Sequence, residues 1–171
     1  MRVAGLNIHP LKSGRAIAVE QADVRLDGFV GDRRFMIVEP DGHFITQREL
    51  QALARVEAHA IHGGVHLAME GRELAATFDP DDRLDVKVWD SRLSAAVADE
   101  AVNDVLSDWF GRPVKLVHMD ESAERTVGAE WAGAAAPVGF ADGFQTATGR
   151  EIARERERRL RDFRDLMLDE I

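Results

Sequence analysis

Arg34-Phe35-Met36-Ile37-Val38-Glu39-Pro40-Asp41-Gly42-His43-Phe44-Ile45 is the stretch on which the fold class turns. Arg34 to Glu39 reads as a strand. Pro40-Asp41-Gly42 is turn chemistry, because Pro presets φ and Gly accepts φ > 0. His43 to Ile45 then returns as the hairpin partner.

The same signals recur outward. Arg2 to His9 alternates apolar and polar as a first strand, ended by Pro10, which cannot donate to a ladder. Ala16 to Leu26, with Ile17, Val19, Ala22, Val24 and Leu26, reads as either a strand pair or one bent strand before a turn at Asp27-Gly28. Thr46 and Glu49 have capping-box spacing and predict a helical turn through about Leu53. Arg55 to Ile61 and Val65 to Met69 flank His62-Gly63-Gly64 as a second hairpin. Glu73 to Phe78 and Leu84 to Trp89 are further strands, separated by an exposed acidic loop, Asp79-Pro80-Asp81-Asp82. The long helix runs from about Asp99 to Phe110, with Val102, Val105, Leu106, Trp109 and Phe110 on one face and Gly111 as its left-handed cap. Val114 to Met119 is a final strand, and Gly128 to Val138 a loop. Many short strands with one amphipathic helix late in the order give a mainly β (α+β) chain, a small β-barrel with a packed helix. The division is residues 1–144 as the barrel and 145–171 as a helical tail, whose Leu160, Phe163, Met167 and Ile171 form a narrow apolar stripe.

Composition bounds the function. At 171 residues, 45% hydrophobic and 31% charged, the chain is one ordinary globular domain. It carries no apolar run near twenty residues and no secretory signal, which predicts no membrane span and a cytoplasmic protein. Cysteine is absent, so disulfides, thiolate metal sites and Cys nucleophiles drop out. A net charge of −9 argues against a nucleic-acid partner. The charge is uneven: residues 1–55 hold eight Lys or Arg against seven acids, and residues 56–149 hold seven against seventeen. The N-terminal third is a basic island, and a small anionic ligand fits it.

Two stretches concentrate that island at strand ends: Leu11-Lys12-Ser13-Gly14-Arg15 and Gly31-Asp32-Arg33-Arg34-Phe35. Lys gives a point charge, Ser a hydroxyl and Arg a planar bidentate donor set, the chemistry a phosphate asks for. The alternative is a pair of solvated turns. Arg33 and Arg34 leave a regular strand on opposite faces, so one faces a ligand and the other a surface ion pair. Asp32 either orients Arg33, acts as an acid/base group or caps a turn. His59, His62 and His66 straddle a turn without carboxylate or Cys spacing and read as surface histidines rather than a metal site. Trp89, Trp109 and Trp131 read as core or loop anchors, and Asp142 as turn chemistry.

Taken in order, Pro10 to Arg15, Gly28 to Val38, Asp41 to Glu49, Val86 to Trp89, Trp109 to Val114 and Phe140 to Phe144 resemble the N-terminal β-barrel domain of the MOSC family, the molybdenum-cofactor sulfurase C-terminal type. The mitochondrial amidoxime-reducing components are similar. The resemblance covers about residues 1–144. It implies a molybdenum cofactor, a phosphorylated pterin (molybdopterin) chelating the metal, held by Lys12, Ser13, Arg15 and Arg33, with Thr46 and Arg48 as weaker carry-overs. It implies a MOSC-type oxidoreductase acting on N-hydroxylated substrates, or a sulfur-transfer component. Gly14 stands where relatives often have Cys. The Cys-bearing half that would ligate the metal is not recognisable after Phe144. The expectation is therefore a cofactor-binding part that is not catalytic alone, with no metal ligand of its own. The alternative is a chain that binds no cofactor, a β-barrel interaction module that forms a homo-oligomer or meets a partner protein through its C-terminal helix.

Overall fold

Phe35–Val38 (β5) is buried on both faces, and this decides how the rest is layered. In this computed structural model the described residues are 5–25, 28–123, 125–127, 136–137 and 139–140. Around β5 lie Glu57–Ile61 (β6), Gly64–Met69 (β7), Arg72–Val88 (β8), Ser91–Ala98 (β9) and Lys115–His118 (β10). Together they form one six-stranded antiparallel sheet in the order β5-β10-β9-β8-β7-β6. Short ribbons pair Leu6–Ile8 (β1) with Ile17–Val19 (β2), and Val24–Arg25 (β3) with Gly28–Phe29 (β4). The chain is mainly β, as its turn signals predict.

The period of two in β5 sorts its side chains into two cores. Phe35 and Ile37 join Leu11, Leu53, Val56, Leu67, Leu106 and Leu116 on one face. Met36 and Val38 join Phe44, Val86, Val88, Val97, Met119 and Phe140 on the other. The helix Glu100–Phe110 (α1) covers the first face. It begins where Asp99 accepts the Val102 N–H at 2.8 Å and ends at Gly111, whose φ of 64° is the left-handed cap its sequence predicts. Its inward stripe differs from the expected one. Val105 is exposed and Asn103 is buried in its stead. Asn103 donates through Nδ2 to the Ala98 carbonyl at 2.7 Å and accepts the Leu116 N–H on Oδ1 at 2.9 Å, so it ties β9 and β10 to the helix.

Other boundaries also shift. Asp79 to Asp82 is exposed but does not break the strand: β8 runs extended through it, and four residues stand opposite Val97 alone, between the pairs Phe78↔Ala98 and Arg83↔Ala96. This is where β8 stops pairing with β7 and starts pairing with β9. Pro80 is tolerated there because a bulge asks for no ladder donor. Strand β9 is not anticipated at all, because its Ala-rich Ser91 to Ala98 stretch carries little contrast. The Thr46 capping box forms, with Glu49 Oε2 accepting the Thr46 N–H at 2.9 Å, and the helical turn that follows is a 3-10 helix over Gln51–Arg55. His43 to Ile45 returns against β5 through a single bridge, Val38↔Phe44, with the Ile45 N–H bonded to the Ile37 carbonyl at 3.0 Å. Gly42 makes this turn possible: its φ is +86°, and a Cβ there would sit 2.1 Å from the Asp85 carbonyl oxygen.

Thr126–Val127 (β11) and Ala136–Pro137 (β12) pair antiparallel in a separate compact unit. Gly128 to Val138, expected as a loop, contributes strand β12 at Ala136–Pro137, and its other residues, Trp131 among them, lie outside the described residues, as do Asp142, the helical tail of residues 145–171 and residues 2–4 of the first expected strand. Among the described residues no helix is long and apolar enough to cross a membrane.

Candidate functional site

Both basic stretches are β-turns with one residue forced to the left. Gly14 N–H closes on the Leu11 carbonyl at 3.0 Å, with Ser13 at φ 63°. Asp32 N–H closes on the Phe29 carbonyl at 3.1 Å, with Gly31 at φ 81°, and Arg33 follows at φ 51°. A positive φ in the third place of such a turn is the type II arrangement, which glycine fills without strain. Ser13 takes that place as a non-glycine residue, and Arg33 takes a positive φ just after its turn, a cost of roughly 1–3 kcal/mol each that persists only where the surroundings over-determine it.

The surroundings are each other. Arg33 N–H donates to the His9 carbonyl at 2.7 Å, Phe35 N–H to the Pro10 carbonyl at 3.0 Å, and Lys12 N–H to the Phe35 carbonyl at 2.8 Å. The two stretches thus run side by side, with Leu11 bridged to Phe35 in parallel. The Asp32 carboxylate adds a side-chain link, accepting the His9 N–H on Oδ1 at 2.7 Å and pairing through Oδ2 with the Arg33 guanidinium. The His9 imidazole meets the Gly14 carbonyl through Nδ1 at 3.1 Å, which assigns the proton to Nδ1, since a carbonyl only accepts. Behind the second turn, Phe140 N–H bonds to the Arg33 carbonyl at 2.9 Å, and buried Arg125 donates to the Gly139 carbonyl at 2.9 Å.

The predicted residues divide. Lys12, Ser13 and Arg33 come together on these paired turns. Lys12 is buried, 3% exposed, with its ammonium 5.4 Å from the Phe44 ring centroid, a cation–π distance. Phe44 continues into a row of rings, with Trp89 at 4.8 Å and His43 at 5.6 Å. Arg15 turns elsewhere: its N–H bonds to the Val56 carbonyl and its guanidinium lies 3.6 Å from Glu57 on β6. Thr46 Oγ1 is engaged in the cap, donating to Glu49 at 3.1 Å and accepting the Arg48 N–H at 3.3 Å, and Arg48 is exposed. Arg34 donates to the Met119 and Asp120 carbonyls on the far side of the turn. Gly14 is buried, and a Cβ there would lie 3.0 Å from the Leu11 Cβ, so a side chain at this place needs Leu11 to give way.

Sequence reading singled out neither His9 nor His118. His9 precedes Pro10 and reads only as a strand end. His118 stacks between Phe35 at 4.7 Å and Phe78 at 5.1 Å. Burial pushes its pKa down, Arg34 pushes the same way, and Asp120 opposes both. Asp120 is itself held below the usual carboxylate range by the Arg83 guanidinium at 2.8 Å, helped by Ser122. His59 and His66 pair with Glu57 and Glu73. Among the described residues no three His, Asp or Glu side chains gather as a metal site.

What the arrangement offers is an ammonium, a hydroxyl and a guanidinium on two turns fixed to one another: donors for an anion. The sequence profile of the MOSC N-terminal beta barrel domain matches residues 1–113. The chain is similar to mitochondrial amidoxime-reducing component 1 of Danio rerio, 33% identical over 129 residues, 69% of this chain and 39% of that protein. It is similar also to the Xenopus laevis protein of the same name, 25% identical over 135 residues, 72% of this chain and 39% of that protein. The solution structure of a protein from Bordetella bronchiseptica is 18% identical and covers 61% of this chain and 93% of that one, with a TM-score of 0.44. The chain thus spans 39% of the length of the curated relatives it matches. Residues 1–113 make it a member of the MOSC N-terminal beta barrel domain family.

Proposed function

We propose that this chain binds the phosphorylated pterin end of a molybdenum cofactor, as the cofactor-holding part of a MOSC-type protein. The observation that carries the reading is the pairing of the two basic turns, which sets Lys12, Ser13 and Arg33 on adjoining strand ends through backbone bonds of 2.7–3.0 Å. The donor set fits a phosphate. Lys12 contributes a desolvated positive charge, Ser13 a hydroxyl that can donate, and Arg33 a fork whose NH1 is braced by Asp32. Arg15 and Thr46 are peripheral to this reading, since their side chains serve Glu57 and the capping turn, and exposed Arg48 is tied to that turn only through its backbone N–H.

The metal end of the cofactor is a different matter. The sequence has no Cys, and the described residues gather no His, Asp or Glu cluster. A soft metal prefers thiolate, which this chain does not supply. When bound, the cofactor supplies two-electron redox chemistry at its metal. What this chain's residues do is hold its phosphate and exclude water from one side of it.

The test is the pterin and molybdenum content of the 171-residue protein purified from cells that make the cofactor. Pterin is read by fluorescence after oxidation and metal by mass spectrometry. Near-stoichiometric pterin, lost in Lys12→Ala and in Arg33→Ala, is the expected result. Protein free of pterin after such expression overturns the reading.

A further inference from the structure

We propose that Asp32 is the positioning residue of this anion clamp, a single carboxylate that holds both basic turns in the geometry that receives the anion. The inference rests on the phosphopterin reading above and assigns the residue through which that site is set.

Asp32 and Arg33 are neighbours in sequence. In a regular extended chain their side chains would leave on opposite faces. The left-handed φ of 51° at Arg33 breaks that alternation, and the Arg33 guanidinium meets Asp32 Oδ2. The other oxygen, Oδ1, accepts the N–H of His9, 23 residues away, at 2.7 Å. The Asp32 side chain is 14% exposed against 37% for Arg33. A carboxylate so far removed from water is tolerated only when its oxygens are engaged, and here one serves each turn.

The consequence reaches Lys12 and Ser13 through His9. That residue is bound at all its polar main-chain points: N–H to Asp32, and carbonyl from Arg33 N–H. Its imidazole donates to the Gly14 carbonyl, at the far end of the Lys12-Ser13 turn. Asp32 therefore fixes one end of a bracket whose other end is the carbonyl beyond Ser13. With Arg33, it takes one nitrogen of a guanidinium fork that carries five donors and leaves the fork's orientation set. A carboxylate present merely to neutralise Arg33 would not need the bond to His9.

The test uses the full chain and inorganic phosphate as probe, followed by NMR titration of backbone amides. It compares wild type, Asp32→Ala, Asp32→Asn, Arg33→Ala and the Asp32→Ala/Arg33→Ala double variant. Asp32→Ala should weaken phosphate binding roughly tenfold, the loss expected for a hydrogen bond to a charged group. The double variant should lose less than the sum of the two single losses, because part of what Asp32 does runs through Arg33 and the rest through His9. Asp32→Asn keeps an oxygen for the His9 N–H, so the slow hydrogen exchange of that amide should return while affinity recovers only in part, to about threefold below wild type. Binding in Asp32→Ala that equals or exceeds wild type overturns the assignment and makes Asp32 a mere neutraliser; so does an additive double variant. If Asp32→Ala does not fold, Asp32→Asn decides alone: weakened binding coupled to Arg33 supports the assignment, and unchanged or tighter binding sinks it. Wild-type protein that ignores phosphate overturns the cofactor reading itself, a result distinct from wild-type binding that Asp32 substitutions leave unmoved.

Discussion

His118 shows how one residue makes the fold sensitive to pH. It is wedged between Phe35 and Phe78 on the strand that pairs with β5, and burial and Arg34 both disfavour its protonated form. Its folded pKa therefore lies below the value near 6.5 of the unfolded chain. Between those two values the unfolded state binds more protons than the folded one, so stability rises with pH through that window and is fully present above it. Lowering the pH from about 7.5 to about 5.5 should therefore lower the urea midpoint, and His118→Gln should remove part of that slope. An identical slope in wild type and His118→Gln would refute the assignment. Asp120, two residues on, has the opposite character: its pKa is depressed by Arg83, so its contribution is present above the ordinary Asp value and is lost only as pH falls through the depressed one. The two groups thus act in separate pH ranges, and a profile near pH 6 reports His118 without interference from Asp120.

At the scale of elements, the helix depends on a polar side chain where the sequence suggests an apolar one. Asn103→Ala would leave the Ala98 carbonyl and the Leu116 N–H without their partner, a cost of about 2–4 kcal/mol. Asp99→Ala, which removes only the cap on Val102, should cost about 1 kcal/mol. Urea unfolding at unchanged slope reads both, and equal costs would mean that Asn103 is replaceable by packing. The same helix shows what sequence can and cannot reveal. Its ends are legible because Asp99 and Gly111 are local chemistry. Its inward face is legible at Val102, Leu106, Trp109 and Phe110 but not at Asn103, which is justified only by the Ala98 carbonyl and the Leu116 N–H on the two strands that flank the helix. Hairpin β6–β7 and the Gly42 turn are legible for the same local reason, whereas β9 hides because Ala95, Ala96 and Ala98 pack well without a hydrophobic contrast along the chain. The candidate site follows the same division. Lys12, Ser13 and Arg33 are readable as a phosphate-suited residue set. The retreat of Arg15 to Glu57, and the bracket from Asp32 through His9 to Gly14, depend on which turns lie side by side, and no spacing encodes that.

At the scale of the whole chain, the proposed clamp sits in a protein of opposing net charge. Residues 1–55 carry one more basic than acidic side chain, while the full sequence carries a net −9. An incoming phosphomonoester meets the summed field first and the basic turns only at close range. The Debye length is about 10 Å at 0.1 M salt, so moderate salt screens the exposed acids, Asp79, Asp81 and Asp82 among them, and leaves the buried charge of Lys12 little affected. The association rate of a phosphomonoester with the full chain should therefore rise, by roughly twofold or more, as ionic strength increases from about 0.01 to 0.15 M. Most binding sites for anions behave in the opposite way, because their steering field is attractive. Stopped-flow traces at three salt concentrations decide the matter. Replacing Asp79, Asp81 and Asp82 together by Asn should give the faster rate already at low salt and flatten the dependence. A rate that falls with added salt would mean that the basic turns dominate the field at long range. The acidic remainder would then have no part in how the ligand arrives.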